Sequence, residues 1–417
     1  MDEHTPTFLC SNITLVKSHN LRAVLLSLLH NDRISRVQLA DVTMLSTTTI
    51  TNVISELVDQ GIVIESEDDE KENGKRSVGR PRTALKLIPD ARFAVGVHIG
   101  IGLIRVAVTD LQAQIVHNNF ADYSIESPHE EILSSVGDLI EKTIADSAVN
   151  RKKIIGIGFG ASGLVDFQSG VNVLAPTLGW REVPIRDWLS ERIHLPVCVD
   201  NNVRAMTFGE SLFGLGRGVT SLALVYGRVG VGSGIVVNGE VFRGSAAGAG
   251  EIGHTIMLPE GGEVCRCGKR GCLETLVSEH VIIKQAEALA KENPNSILAN
   301  NLKNPNGDKP IDRIFAAARE GDRATREMIE HFAYYFGIAL TNLVNVLNPE
   351  LILLAGMFAQ GEDLFLPVVQ KTVREQAFAG LGERVRVQST SFGWRAGVIG
   401  AAALALNAFF YQQPEAI

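Results

Sequence analysis

His254, Cys265, Cys267 and Cys272 place one imidazole and three thiols in a single stretch, 251–274, EIGHTIMLPEGGEVCRCGKRGCLE. Those four side chains make a complete tetrahedral donor set for a closed, structural zinc site. The glycines of Cys-Arg-Cys-Gly-Lys-Arg-Gly-Cys let the backbone turn tightly around one ion. Three of the chain's five cysteines fall here, which reads as metal binding in a reducing compartment rather than a disulfide framework. Cys198 sits in an apolar run and reads as core, and Cys10 near the terminus carries no signal. Glu251 and Glu274 bracket the ligands. An ion tying both ends of the loop would hold these carboxylates together, a pairing suited to the hydroxyls of a polyol or sugar; two solvated loop acids are the alternative.

Glu-Ile-Gly-His followed by Cys-x-Cys-Gly-x-x-Gly-Cys-x-Glu resembles the signature of the ROK family, which contains sugar kinases and sugar-responsive repressors. The resemblance covers roughly the whole chain, because an N-terminal extension also fits the repressor branch. It implies that Glu251, His254 and Glu274 contact sugar hydroxyls. His254 would then bind zinc through one ring nitrogen and face the sugar with the other.

A further set of positions bears on catalysis. Phosphoryl transfer to a sugar needs glycine turns around the phosphates, an acid or hydroxyl for metal and phosphate, and a carboxylate base. Kinases of the family end their first strand in Asp-x-Gly-x-Thr; here the stretch is His98-Ile-Gly100-Ile-Gly102. Their second turn carries Gly-Thr-Gly; here it is Arg228-Val229-Gly230. Ala355-Gly356-Met357 in the third turn is a milder departure. Their base lies in Asn-Asp-Ala-Asn, against Asp200-Asn201-Asn202-Val203-Arg204 here. Alignment on Ala205 and Gly209-Glu210 puts Asn202 at the base position. An amide cannot accept a proton at useful pH, but it can hydrogen-bond a hydroxyl. A shifted register would give that place to Asp200. The expected sugar set is therefore Asn201, Asn202, Glu251, His254 and Glu274, with Gly163 of Gly160-Ala-Ser-Gly163 as a close backbone approach and no catalytic residue. For Asn201 and Asn202 the alternative is an ordinary strand-end turn, which asparagine also favours.

The elements that must position these groups begin with a helical head. Leu21, Val24, Leu25, Leu28 and Leu29 share one helical face. Ser35 to Gln38 has capping-box spacing and predicts a helix with Leu39 and Val42 inward. Ser46 caps a third helix, about 47–59, with Ile50, Val53, Ile54 and Leu57 as its core stripe. Its opposite face offers Thr47, Thr48, Thr49, Thr51 and Asn52, short hydrogen-bonding side chains suited to a major groove; a plain three-helix packing module is the other reading. Two strands, 61–65 and 83–88, complete a winged helix-turn-helix around a charged tip at 66–74. Arg80 and Arg82 stand on an extended Gly-Arg-Pro-Arg segment that fits a narrow minor groove, or else merely solvates a linker.

From Phe93 a strand, glycine turn, strand, strand pattern begins, and 221–242 repeats it. Two glycine-turned meanders suggest two similar lobes around a cleft, and the resemblance implies the same actin-like, sugar-kinase-like architecture. The expected division is 1–88 for the DNA-binding head, 89–207 for lobe I with a C-terminal helix at 392–412, and 208–391 for lobe II with the zinc loop. Residues 293–310, rich in Asn and Pro, read as a loop. The apolar tail 396–410 reads as a buried helix too short to span a bilayer.

Composition sets outer limits. The 417 residues are 45% hydrophobic and 21% charged, as in an ordinary globular protein. A net charge of -8 opposes bulk attraction to nucleic acid, so DNA contact must be local. No basic segment followed by an apolar one opens the chain, which predicts a cytoplasmic protein. The combined expectation is a repressor of carbohydrate-utilisation genes: an operator-binding homodimer with structural zinc, a sugar effector and a catalytically silent cleft, and no membrane association. A sugar kinase with an accessory domain and a repressor controlled by a protein partner are the alternatives.

Overall fold

The structure is a computed structural model, and it describes residues 13–67, 83–245, 247–304 and 308–412. The head opens with α1 (Ile13–His30), whose five expected core residues are all buried. A short strand, β1 (Ile34–Ser35), leads into α2 (Arg36–Thr43). The Ser35 hydroxyl accepts from Gln38 N at 3.3 Å, and Ser35 N donates to Gln38 Oε1 at 2.9 Å, so the capping box closes as its spacing requires. Leu39 is buried, but Val42 is 64% exposed, a correction to its expected inward placement. The buried stripe of α2 runs through Leu39 and Ala40, flanked by half-buried Arg36 and Thr43, which turns Val42 toward solvent. Met44 then takes a left-handed conformation, and Ser46 caps α3 (Thr47–Asp59). The four residues of its apolar stripe are buried. Strands β2 (Val63–Glu67) and β3 (Thr83–Leu87) pair antiparallel, with β1 on the far side of β3.

Two five-stranded sheets follow. The first uses the antiparallel meander β4 (Phe93–Gly100), β5 (Leu103–Asp110) and β6 (Ile115–Asp122). After α4 (His129–Asp146), β7 (Ile154–Ala161) joins parallel to β4. A small antiparallel sheet that the sequence did not signal comes next: β8 (Leu164–Asp166), β9 (Val171–Ala175) and β10 (Trp180–Val183). Then α5 (Ile185–Ile193) leads to β11 (Val197–Asn201), parallel to β7. The strand order is β11-β7-β4-β5-β6.

After α6 (Asn202–Phe213), the meander recurs as β12 (Ser221–Gly227), β13 (Val231–Val237) and β14 (Glu240–Val241). Helices α7 (Glu274–Val277), α8 (Glu279–Glu292), α9 (Ile297–Lys303), α10 (Pro310–Arg319) and α11 (Arg323–Leu347) precede β15 (Leu351–Gly356). Then α12 (Met357–Gln360), α13 (Glu362–Gln376) and α14 (Leu381–Arg384) lead to β16 (Arg386–Ser389). The order β14-β13-β12-β15-β16 repeats the first sheet's plan, as the duplicated pattern anticipated. The expected loop at 293–310 is corrected by α9: Ser296 caps it, and Leu298 and Ala299 are buried. Its asparagines mask a one-sided apolar contact.

Between the sheets lie α6 and the last helix, α15 (Ala396–Leu406), packed on each other. Glycines make the approach possible. A Cβ at Gly158 would stand 1.8 Å from the Ala401 carbonyl oxygen, and one at Gly209 would stand 2.8 Å from Gly400 Cα. The helical span Gly393–Tyr411 is long and apolar enough to cross a membrane by length and composition, which corrects the expectation that it is too short. Every residue of α15 is buried. The expected lobe boundary at 207/208 also needs correction, because it cuts α6 in its middle.

Candidate functional site

A cleft of about 250 Å³ opens where the β4–β5 and β12–β13 turns face the start of α6. Gly163, Asn201, Asn202, Glu251, His254 and Glu274 all line it. The sheets bring together residues more than 100 positions apart. Asn201 ends β11 and caps α6: its Oδ1 accepts from Val203 N at 2.9 Å and Arg204 N at 3.2 Å. Its Nδ2 donates to Gly163 O at 2.9 Å. Asn201 thus carries the turn role and a cleft position at once. Gly163 has φ +93, and a Cβ there would lie 2.3 Å from Leu174 O. Its close approach is to β9 of the small sheet.

Asn202 is 8% exposed, and its Nδ2 lies 3.4 Å from Ser162 Oγ. Asp200, which a shifted register would make the base, is fully buried and does not line the cleft. Its Oδ1 accepts from Arg204 Nε at 2.7 Å; its Oδ2 accepts from Arg243 Nε at 3.0 Å and Nη2 at 2.8 Å. Two guanidiniums saturate that carboxylate, so it serves as a structural anchor.

The metal candidates converge as well. One donor atom from each of His254, Cys265, Cys267 and Cys272 lies within 4.8 Å of every other. Cys265 Sγ is 3.6 Å from His254 Nδ1, and Cys267 Sγ is 3.7 Å from Cys272 Sγ. Tetrahedral zinc with bonds near 2.3 Å to sulfur and 2.0–2.1 Å to nitrogen sets ideal edges of about 3.6 Å and about 3.8 Å. The cluster therefore fits the ion. Burial, and then the Glu274 carboxylate it donates to, push the Cys265 thiol up, so a thiolate there needs a cation beside it. Glu274 is nearly buried, and its Oε1 accepts from Cys265 Sγ at 3.0 Å. Its Oε2 lies 3.6 Å from Arg266 Nη2. Use of His254 Nδ1 by a metal leaves Nε2 for another partner.

A family model described as "ROK family" matches residues 94–408, and one described as "Winged helix-turn-helix DNA-binding" matches 17–64. The chain belongs to the ROK family. It is 31% identical to the xylose repressor of Caldicellulosiruptor bescii, over 95% of this chain and 97% of that one. It is 34% identical to a glucokinase of Halalkalibacterium halodurans, over 74% of this chain and 93% of the relative. A crystal structure of a ROK family transcriptional regulator, a homolog of the E. coli Mlc protein, superposes with a TM-score of 0.80 at 27% identity, covering 94% of this chain and 96% of the other.

Within this ROK fold, the glycine-turn positions hold side chains that sequence reasoning named only as departures. His98 is 6% exposed at the end of β4 and lines the cleft. Burial first, then the charges of Arg105 and Arg228, push it down to about 4, so it is neutral at ordinary pH. Arg228 and Arg266 line the same region. Arg266 escaped notice although it stands inside the Cys-x-Cys motif; its neighbours drew attention as ligands and it did not.

In the head, Thr47, Thr48, Thr51 and Asn52 are exposed on α3, and Thr49 is half-buried. Thr51 Oγ1 donates to Thr47 O at 2.8 Å, and Thr49 Oγ1 lies 2.9 Å from Ser46 Oγ. Those two hydroxyls are engaged locally, whereas the side chains of Thr47, Thr48 and Asn52 make no hydrogen bond among the described residues. Arg80 and Arg82, like Cys10, lie outside the described residues.

Proposed function

We propose that this ROK protein is a DNA-binding transcriptional repressor of carbohydrate-utilisation genes. It senses a sugar in a kinase-like cleft that does not phosphorylate it. The observation carrying this reading is that six residues expected to hold a sugar line one cleft, with an amide at the base position and the one competing carboxylate locked by two arginines. Helices α2 and α3 form the helix-turn-helix, with Thr47, Thr48, Thr49, Thr51 and Asn52 toward the major groove and Arg80 and Arg82 toward the minor groove. Two half-sites require two heads, so the working unit is a homodimer on operator DNA, in the cytoplasm. The domain division becomes 1–88 for the head, 89–213 with 392–412 for lobe I, and 214–391 for lobe II.

His254, Cys265, Cys267 and Cys272 would hold a structural zinc, which supplies rigidity and positive charge rather than reaction chemistry. Cys265 as a thiolate ligand no longer donates to Glu274. That frees Glu274 Oε1 to accept a sugar hydroxyl. Glu251 accepts from another, and His254 Nε2 faces the ligand. Asn201 and Asn202 orient the ring without taking a proton.

Helix α6 offers a route from cleft to head. It starts at the cleft with Asn202, and its Phe208 and Leu212 share a core cluster with Leu25 and Ile54 of the head. A sugar that binds one arrangement of the sheets more tightly than the other shifts the heads through such an element. The test is operator affinity with and without monosaccharides, on wild type and Glu251→Gln. Sugar-dependent release that needs more ligand in the variant supports the reading; equal affinity under all conditions overturns it. The glucokinase relative favours a second reading, a sugar kinase, and turnover of ATP with any bound sugar would establish it.

A further inference from the structure

Glu210 is fully buried one turn before the end of α6. Among the described residues, its carboxylate is held by hydroxyl and amide donors rather than by a cation. Leu215 N donates to its Oε2 at 3.0 Å, and Ser391 N donates to its Oε1 at 2.8 Å. The Ser391 hydroxyl donates to Oε2 at 3.0 Å, and the Thr390 hydroxyl donates to Oε1. The Glu210 carbonyl accepts from Gly214 N at 3.0 Å and Gly216 N at 2.9 Å. These donors come from two places far apart in the chain. Leu215 lies where the chain leaves α6 for the second sheet, and Thr390 and Ser391 lie where it returns from β16 to α15. On the division given above, those are the two covalent links between the lobes. The first link makes room for the carboxylate by having no side chain at Gly214, where a Cβ would stand 2.0 Å from Glu210 Oε2. The second is fixed to its own sheet, since Thr390 N donates to Leu354 O of β15 at 2.9 Å.

Two bodies joined by two links turn most freely about an axis through both links, because atoms near that axis move least. One buried carboxylate that bonds both links lies on that axis, so its bonds persist while the cleft opens and closes. The flanking backbone is suited to absorb rotation. Gly218 on the first link has φ +75, Gly393 on the second has φ +54, and a Cβ at either would meet nothing within 4 Å. The same stretch touches the head. Leu212 shares a core cluster with Leu25 and Leu29 of α1. His30, the last residue of α1, lies against the Leu212 backbone and near Arg217. At its other end, α6 presents Asn202 to the cleft. We propose that the Glu210 carboxylate is the pivot on which the two lobes turn, and that the first link passes their closure to the head. This rests on the sugar-sensor reading for its trigger but not for its geometry.

Two measurements on the full zinc-loaded chain test the pivot. The first is hydrogen exchange at single-residue resolution. The Leu215 and Ser391 amides should be protected although both residues are exposed. Thr390→Val removes a donor on the second link only. It should nevertheless speed exchange at Leu215, on the first link, by at least about tenfold, while Thr390→Ser keeps the wild-type rate. The second measurement is affinity for a DNA duplex that the wild type selects from a random pool, with and without saturating glucose, xylose or N-acetylglucosamine. Thr390→Val should cut the sugar-dependent change in DNA affinity by at least about threefold, with sugar affinity and DNA affinity taken singly nearly unchanged. Glu210→Gln sets an amide donor against these donors and should do both more strongly; should it fail to fold, Ser391→Ala takes its place. If Leu215 exchange ignores Thr390, the carboxylate does not join the links and the proposal is overturned. If exchange responds but the sugar-dependent change survives in Thr390→Val, only a local structural role is left and the proposal is likewise overturned. If no sugar alters DNA affinity even in wild type, the sugar-sensor reading falls and transmission to the head falls with it. The pivot itself is then decided by the exchange result: linked exchange at 215 and 391 upholds it, and independent exchange overturns it.

Discussion

Cys267 is the exposed member of the four-residue cluster, while Cys265 and Cys272 are buried. Its replacement disturbs little packing, so Cys267→Ser isolates the metal's contribution. The wild type should carry about one zinc per chain, and the variant well below that, by metal analysis of dialysed protein. Sugar affinity should fall with metal content, since the ion ties Glu251 and Glu274 into one loop. His98 gives a second prediction. Its folded pKa, about 4, lies below the ordinary 6.5, so the unfolded chain binds the proton more readily. The stability that neutral His98 contributes is intact above pH 6.5 and is lost as pH falls toward 4. The charged groups acting on it are the guanidiniums of Arg105 and Arg228, which both disfavour its protonated form. In urea titrations across it, His98→Gln should show a shallower pH dependence than wild type. On the silent-cleft reading, Asn202→Asp restores only one of three kinase groups. A coupled assay with ATP and magnesium should still find no turnover, because His98 and Val229 remain where a metal acid and a hydroxyl are needed.

Helix packing decides how far these side chains can be trusted to stay in place. Helix α15 lies so close to the first sheet that Gly158 has no room for a methyl group: the added Cβ would meet backbone, which cannot rotate away. Gly158→Ala should therefore destabilise the chain by about 3 kcal/mol, the upper part of the usual overpacking range, read from the urea midpoint. The effect should extend to the cleft, because α15 also packs on α6, whose first turn carries Asn202. Ser46→Ala offers a contrast at the head. Loss of one cap hydrogen bond should cost about 1 kcal/mol. It should weaken operator binding without changing sugar affinity, since α3 touches DNA in this reading and not the cleft.

Across the whole molecule, the head is joined to the lobes by a continuous core rather than a free linker. Leu25, Ile54, Leu212, Phe410 and Tyr411 belong to one buried cluster. Ser18 Oγ donates to Gln412 O at 3.0 Å, Arg22 lies 3.5 Å from Glu240, and Tyr411 donates to Leu111 O at 2.8 Å. A head held this way must follow movement of the lobes. Effector should therefore change operator affinity by about 1–3 kcal/mol, and operator should change effector affinity by the same factor. Fluorescence titration in both directions checks the equality. Tyr411→Phe should lower the coupling more than it lowers either affinity alone, because the lost bond joins the last helical turn to the first sheet and touches neither ligand.

The cluster of metal donors was legible in the sequence because four donors within one loop need no distant partner to be recognised. The head was legible for the same reason: its caps, turn and apolar stripe are local. The duplicated meander declared itself through its repeated glycine turns, and both sheets carry the same strand order. What tertiary structure alone decided is which polar side chains reach the cleft. Asp200 and Asn202 are two residues apart, and only the fold shows one locked by Arg204 and Arg243 while the other lines the cleft. Arg243 comes from a segment 43 positions away, and no sequence pattern announces such a pairing. The cationic end of the cleft was hidden likewise. His98 and Arg228 look like unrelated departures until two sheets bring them to one cleft, because charge acts through distance in space and sequence records only distance along the chain.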